Sequence, residues 1–163
     1  DLDWSGKDFD CFYPEDVPTD WHLTWLANVA MAVVISPERW QNASEAQIAE
    51  WVDQTQENFW FYLLCETAEQ VALAGQVSTY FTQQFGGIVT RLSDSSHDHI
   101  EVLRSGDASL FYQADSLRTG QKIIRDWLTK FQGDHGLVVL SGHDRKQVRE
   151  IQSLLSLLGV TND

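Results

Sequence analysis

The sequence predicts an α/β domain with a mostly parallel sheet and flanking helices. Two patterns predict it. Short apolar runs without polar alternation, such as Ala30–Ile35 and Gly136–Ser141, are what strands covered on both faces require. Between them lie longer segments with apolar residues at helical spacing, so that strand and helix alternate as they do in parallel α/β folds. The 163 residues fit one domain, 1–163, whose first twenty residues, 1–20, form an irregular segment broken by Gly6, Pro14 and Pro18.

Taken in order, Asp20 is placed to cap a short helix reaching Asn28, with Trp21 and Trp25 on it. Ala30–Ile35 is the first buried strand, stopped by Ser36-Pro37. Asn42 or Ser44 caps a helix whose apolar face holds Ala46, Ile48, Trp51, Val52 and Thr55. Phe59–Leu64 is the most strand-like run, rich in aromatic residues. A helix over roughly Ala68–Phe85 is expected to stop at Gly86-Gly87, with a third strand over Gly87–Leu92. After a polar loop, Asp94 to His99, the alternation of Ile100–Arg104 and Ala108–Gln113 around Ser105-Gly106-Asp107 predicts a β-hairpin. A helix over Ser116–Phe131, a strand over Gly136–Ser141 and a helix over Arg145–Leu158 complete the chain, with Gly133 and Gly159 as stops.

The net charge of −13, from 24 acidic and 11 basic residues, opposes binding to phosphate backbones and to anionic membrane. No nucleic-acid partner and no membrane partner are expected, and no apolar run has the length of a membrane helix. Cys11 and Cys65 have neither metal-ligand nor CxxC spacing, and Cys65 reads as a buried thiol. The cytoplasm is the expected compartment. Seven tryptophans exceed the needs of an ordinary core, which points to some of them serving an interface.

In parallel α/β domains ligands collect at the carboxyl ends of the strands. That rule singles out Ser36, Glu38 and Arg39, then Glu66, then Arg91 and Asp94, then Asp115, and finally His143 with Asp144. His143 beside Asp144, with Glu38 or Glu66 across the same edge, could supply a base and its acids. Asp144 equally suits the cap of the last helix. His97 and His99 sit in an acidic loop that could hold a divalent ion, but their spacing implies no third ligand, and a solvated loop is the simpler reading. The sequence contains none of the glycine-rich phosphate loops, the GxSxG elbow, the HExxH helix or paired-cysteine zinc motifs, and no cofactor is expected.

One stretch has a family likeness. Asp3-Trp4-Ser5-Gly6 through Phe12-Tyr13-Pro14-Glu15 and Val17-Pro18, followed by Trp21 and Asn28, resembles the opening of the YecE-like family. Trp51 with Phe59-Trp60-Phe61 is similar to a further family segment, and Ile100–Arg104 to its Glu-x-Arg strand. Members of that family are TIM-barrel proteins of unknown function, so the resemblance implies a reduced or partial TIM-barrel-like sheet in a shortened relative. The family's first strand would lie before Asp1. Where the family carries a Glu-Ile-Asn segment and a lysine at its second and third strands, this chain has Val33-Val34-Ile35-Ser36 and Leu63-Leu64-Cys65. The expected function is therefore a non-catalytic binding or regulatory module. It would hold a protein partner or a second copy through an aromatic and acidic surface, with Trp4, Trp25, Trp40, Arg39, Arg91 and Asp94 as binding residues. The alternative is a hydrolase-like enzyme using His143, Asp144, Glu38 and Glu66.

Overall fold

A computed structural model describes residues 3–5, 12–92, 99–114, 116–133, 135–140 and 145–159. A 3₁₀ turn, Thr19–Trp21, leads into α1 (His22–Ala27), then β1 (Ala32–Ile35), α2 (Pro37–Asn42), α3 (Glu45–Asp53) and β2 (Trp60–Cys65). The chain continues through α4 (Ala68–Val77), a 3₁₀ segment (Ser78–Gln84), β3 (Phe85–Thr90) and β4 (Val102–Arg104). It ends with β5 (Ser109–Tyr112), α5 (Leu117–Leu128), β6 (Leu137–Leu140) and α6 (Arg145–Leu157). The predicted mixed α/β class is the observed one.

The strands form a four-stranded sheet in the order β1-β2-β3-β4 and a two-stranded sheet, β5-β6, and every pair is parallel. No barrel closes among the described strands. Residues alternate between two cores. Val33, Ile35, Phe61, Leu63, Cys65 and Ile88 face the helices and meet Leu23, Trp40, Ile48, Val71 and Phe81. Val34, Tyr62, Leu64, Val89 and Leu103 face the other way, where Phe111, Leu137 and Val139 of the small sheet pack on them. A third cluster, with Tyr112, Ile124, Ile151 and Leu154, joins the small sheet to α5 and α6. Near-continuous apolar strands follow from this double burial.

Four expectations need correction. The hairpin over residues 100–113 does not form. Val102–Arg104 pairs with Ile88–Thr90 and Ser109–Tyr112 pairs with Leu137–Leu140, both parallel. Alternating residues report a half-buried strand but not which neighbour it takes. Ser36-Pro37 does stop the first strand, as expected, and also opens a helix. Pro37 starts α2 at the first helical position, where its missing N–H costs nothing.

The helix expected to run to Phe85 gives way at Ser78 to 3₁₀ geometry. There the hydroxyls of Ser78 and Thr79 donate back to the carbonyls of Gly75 and Gln76, each at 2.8 Å. Thr82, at φ 54°, breaks the segment further and turns Gln84 inward. Gln84 Nε2 then donates to Thr55 Oγ1 at 3.0 Å, Gln56 O at 2.6 Å and Phe59 O at 3.1 Å, tying the segment to the entrance of β2.

Gly86-Gly87 is accordingly not a helix stop but part of β3. Phe61 pairs with Phe85 and Tyr62 with Gly87, so Gly86 is the extra residue of a bulge. The Tyr62 ring occupies the space a side chain at Gly86 would need, 2.5 Å from the position of its Cβ. Gly87, at φ 135°, would bring a Cβ to 2.6 Å from Glu101 O. These contacts explain the glycine pair better than helix termination does.

Of the helix caps, Ser44 is the cap of α3. Its Oγ accepts from Gln47 N at 3.3 Å while Gln47 Oε1 accepts from Ser44 N at 2.9 Å. Thr67 and Gln70 repeat the device on α4. Asp20 makes no cap bond, because the helix entry is displaced to Trp21 and preceded by the 3₁₀ turn.

Candidate functional site

The carboxyl end of β1 carries the most developed polar constellation among the described residues. β1 delivers Ser36 in extended geometry, φ −64° and ψ 152°, and α2 brings Arg39 back over the same edge. Into this corner the amino-terminal segment inserts Asp3, a buried carboxylate. Ser36 N donates to Asp3 Oδ1 at 2.8 Å and Ser36 Oγ donates to Asp3 Oδ2 at 2.7 Å. Arg39 Nε lies 3.5 Å from Asp3 Oδ2. The Arg39 guanidinium also stacks on the Trp4 ring, 4.4 Å from its centroid, and donates to Ser5 Oγ. A buried carboxylate needs such partners, since an unpaired one would lose its hydration without return.

Aromatic residues hold the inserted segment in place. Tyr13 Oη donates to Trp4 O at 2.5 Å, and the Tyr13 ring stacks on His22 at 3.7 Å. Trp4 meets Trp51 edge-on at 5.0 Å, and Phe12 meets Trp25 at 5.2 Å. Burial pushes the Tyr13 hydroxyl well above the usual phenol range, with Arg39 opposing part of that shift. Tyr13 is therefore a neutral donor. The corner is a clamp in which Asp3 and Arg39 are occupied by each other, by Ser36 and by Trp4.

The remaining sequence candidates fall in different places. Trp40 is fully buried, its Nε1 donating to Leu64 O at 2.9 Å, and Trp4 is buried under Arg39. Neither belongs to an exposed aromatic face, which corrects their expected use as surface binding residues. Both are drawn inward because an indole offers a large apolar area, and in Trp40 its one N–H is satisfied by a carbonyl. Trp25 is half-buried against Phe12 and Tyr13. Glu38 and Glu66 are exposed on the starts of α2 and of the α4 cap. Arg91 is exposed beyond β3 and lies over the Phe111 ring at 5.6 Å.

His99 is exposed, and no group of three or more metal-type side chains occurs among the described residues. Asp94, His97, Asp115, His143 and Asp144 lie outside the described residues. Neither the groove between α5 and α6 nor a smaller cavity beside Phe12 and Val148 is lined by Glu38, Glu66 or Arg91.

Comparison with family models, with curated proteins and with solved structures returned no match. The site must be read on its own chemistry.

Two features escaped sequence reasoning. Asp3 and Ser5 were hidden because their partners lie more than thirty residues away. The tryptophans that do face solvent are Trp21, 63% exposed, and Trp60, 41% exposed. Trp21 closes the exposed acidic stretch that contains Glu15, Asp16 and Asp20, and that acidic, proline-broken setting was the available signal. No helix among the described residues is long and apolar enough to cross a membrane.

Proposed function

We propose that this chain is a binding module that holds a protein partner through an acidic and aromatic surface centred on Trp21, Glu15, Asp16 and Asp20. The observation that carries this reading is the clamp. At the strand end where the sequence sought reactive groups, Asp3 and Arg39 neutralise one another and serve structure, while the most exposed indole stands among carboxylates. An exposed Trp is the residue type most often found at the energetic centre of an interface. The scaffold is a reduced relative of the YecE-like barrels. Four parallel strands in chain order, with an apolar inner face covered by β5 and β6, support that reading.

The test is capture by the immobilised chain from an extract of the cells that make it, run beside a panel of ester, phosphoester and glycoside substrates. Trp21→Ala and the triple variant Glu15→Lys, Asp16→Lys, Asp20→Lys should each reduce capture of a specific protein by about tenfold or more. Turnover of any substrate that is abolished by Glu66→Gln or His143→Ala would replace this reading with the hydrolase.

A further inference from the structure

The charge of the chain is unevenly divided. Residues 1–116 contain 4 basic and 19 acidic side chains, whereas residues 117–163 contain 7 basic and 5 acidic ones. In an acidic chain the helix pair α5 and α6 is thus the basic region. Between these helices lies a groove of about 890 Å³. Leu117, Leu154 and Leu157 give it an apolar lining, and Arg118, Lys146 and Arg149, against the single carboxylate of Glu150, give it a net positive one. Leu117 is 49% and Leu157 85% exposed, an unusual outlay of leucine on the surface of a helix pair. The pair Lys146–Glu150 is loose, at 3.9 Å with Lys146 83% exposed, and neither Arg118 nor Arg149 has an ion pair among the described residues.

The chain also carries a counterpart of matching chemistry. Glu15–Trp21, with the sequence Glu-Asp-Val-Pro-Thr-Asp-Trp, presents three exposed carboxylates and an exposed indole. Two turns hold it in shape, with Val17 N donating to Pro14 O at 3.1 Å and Trp21 N to Pro18 O at 2.9 Å. A preshaped knob loses little freedom on docking. Resting on the binding reading above, we infer that the partner is a second copy of this chain, whose segment Glu15–Trp21 enters the groove between α5 and α6. Carboxylates meet Arg118, Lys146 and Arg149, and the indole covers the leucines. α6 also touches the chain just after α1, through Gln152 Nε2 donating to Val29 O at 2.6 Å, so the helix that walls the groove adjoins the segment that follows the knob and α1. Exchange between two copies is then reciprocal and closes a dimer.

Sedimentation equilibrium of the full chain, from micromolar to roughly 200 μM at low salt, tests this. The wild type should dimerise, and added salt should weaken the dimer because the contact is partly ionic. Trp21→Ala and the triple variant Arg118→Glu, Lys146→Glu, Arg149→Glu should each weaken it by about tenfold or more while keeping the wild-type circular dichroism. Mixing these two variants restores one intact contact, so the mixture should associate more tightly than either variant alone. Either a monomeric wild type or a dimer indifferent to both variants overturns the inference. A monomer that still needs Trp21 to capture a different protein overturns it while leaving the binding reading in place. If Trp21 is dispensable for all capture as well, both fall.

Discussion

Replacing Asp3 by alanine removes the centre of the clamp, and the cost can be worked from its contacts. The carboxylate accepts two hydrogen bonds from Ser36, at 2.8 and 2.7 Å, and pairs with Arg39 at 3.5 Å. Hydrogen bonds to a charged group contribute about 1.5–3 kcal/mol each. Ser36 is only half-buried, so water replaces part of what it loses, and the two bonds together come to about 2–3 kcal/mol. The Arg39 side chain keeps 28% exposure, so its pairing adds no more than about 1 kcal/mol. The expected loss is about 3 kcal/mol, which for a chain of this size lowers Tm by roughly 6–12 °C. Urea unfolding followed by tryptophan fluorescence, with calorimetry alongside, measures it. Asp3→Asn keeps an acceptor and should lose less. In a double-mutant cycle, Asp3→Ala and Ser36→Ala should couple by about 1 kcal/mol, because both remove the bond from Ser36 Oγ to Asp3 Oδ2, while the backbone N–H of residue 36 keeps its bond to Asp3 Oδ1 in Ser36→Ala. A loss for Asp3→Ala below about 0.5 kcal/mol, the range of ordinary surface substitutions, would refute the clamp.

Further outcomes follow from the fold. Gly86→Ala should destabilise by about 1–3 kcal/mol, because its methyl meets the Tyr62 ring at 2.5 Å. Gly87→Ala should cost more, since it meets backbone at Glu101 and holds φ 135°; equal stability of either variant in urea would contradict the bulge. Ser44→Ala breaks the capping box of α3 and should cost about 1 kcal/mol by the same assay. Burial pushes the Cys65 thiol up to about 12 from 9.0, so in the folded chain it should resist thiol reagents at mildly alkaline pH. The raised value also means that its contribution to stability is full below pH 9 and is lost as pH rises toward 12. Tyr13, Tyr62 and Tyr112 are shifted upward by burial too, so unfolding midpoints should fall across the alkaline range. Cys65→Ala should make that fall shallower, and an unchanged pH profile would show that the thiol plays no part.

What the sequence made readable was decided by burial. β1, β2 and β6 were legible because strands covered on both faces need unbroken apolar runs, and α6 because one of its faces is buried while the other is not. Boundaries set by local geometry were less visible. Gly86-Gly87 suits a helix stop as well as a bulge, and only the Tyr62 ring decides between them. Ser36 and Arg39 were found by the strand-end rule, but their partner Asp3 arrives from a segment with no periodicity to read. Tryptophan count signalled a surplus without saying which indoles stay outside. Trp40 is sealed among the helix-side core with its Nε1 on Leu64 O, whereas Trp21, beside carboxylates and after a proline, is exposed.

The order β1-β2-β3-β4 repeats the order of synthesis. β2, β3 and β4 each find a neighbour already made when they leave the ribosome, and the clamp can close once Arg39 has emerged. β1 waits through α2 and α3 for β2, and β5, made after the four-stranded sheet is complete, waits through the whole of α5 for β6. During translation the exposed ladder of β5 is therefore the interval in which a wrong strand could take its place, and a pause before Leu137 would lengthen it.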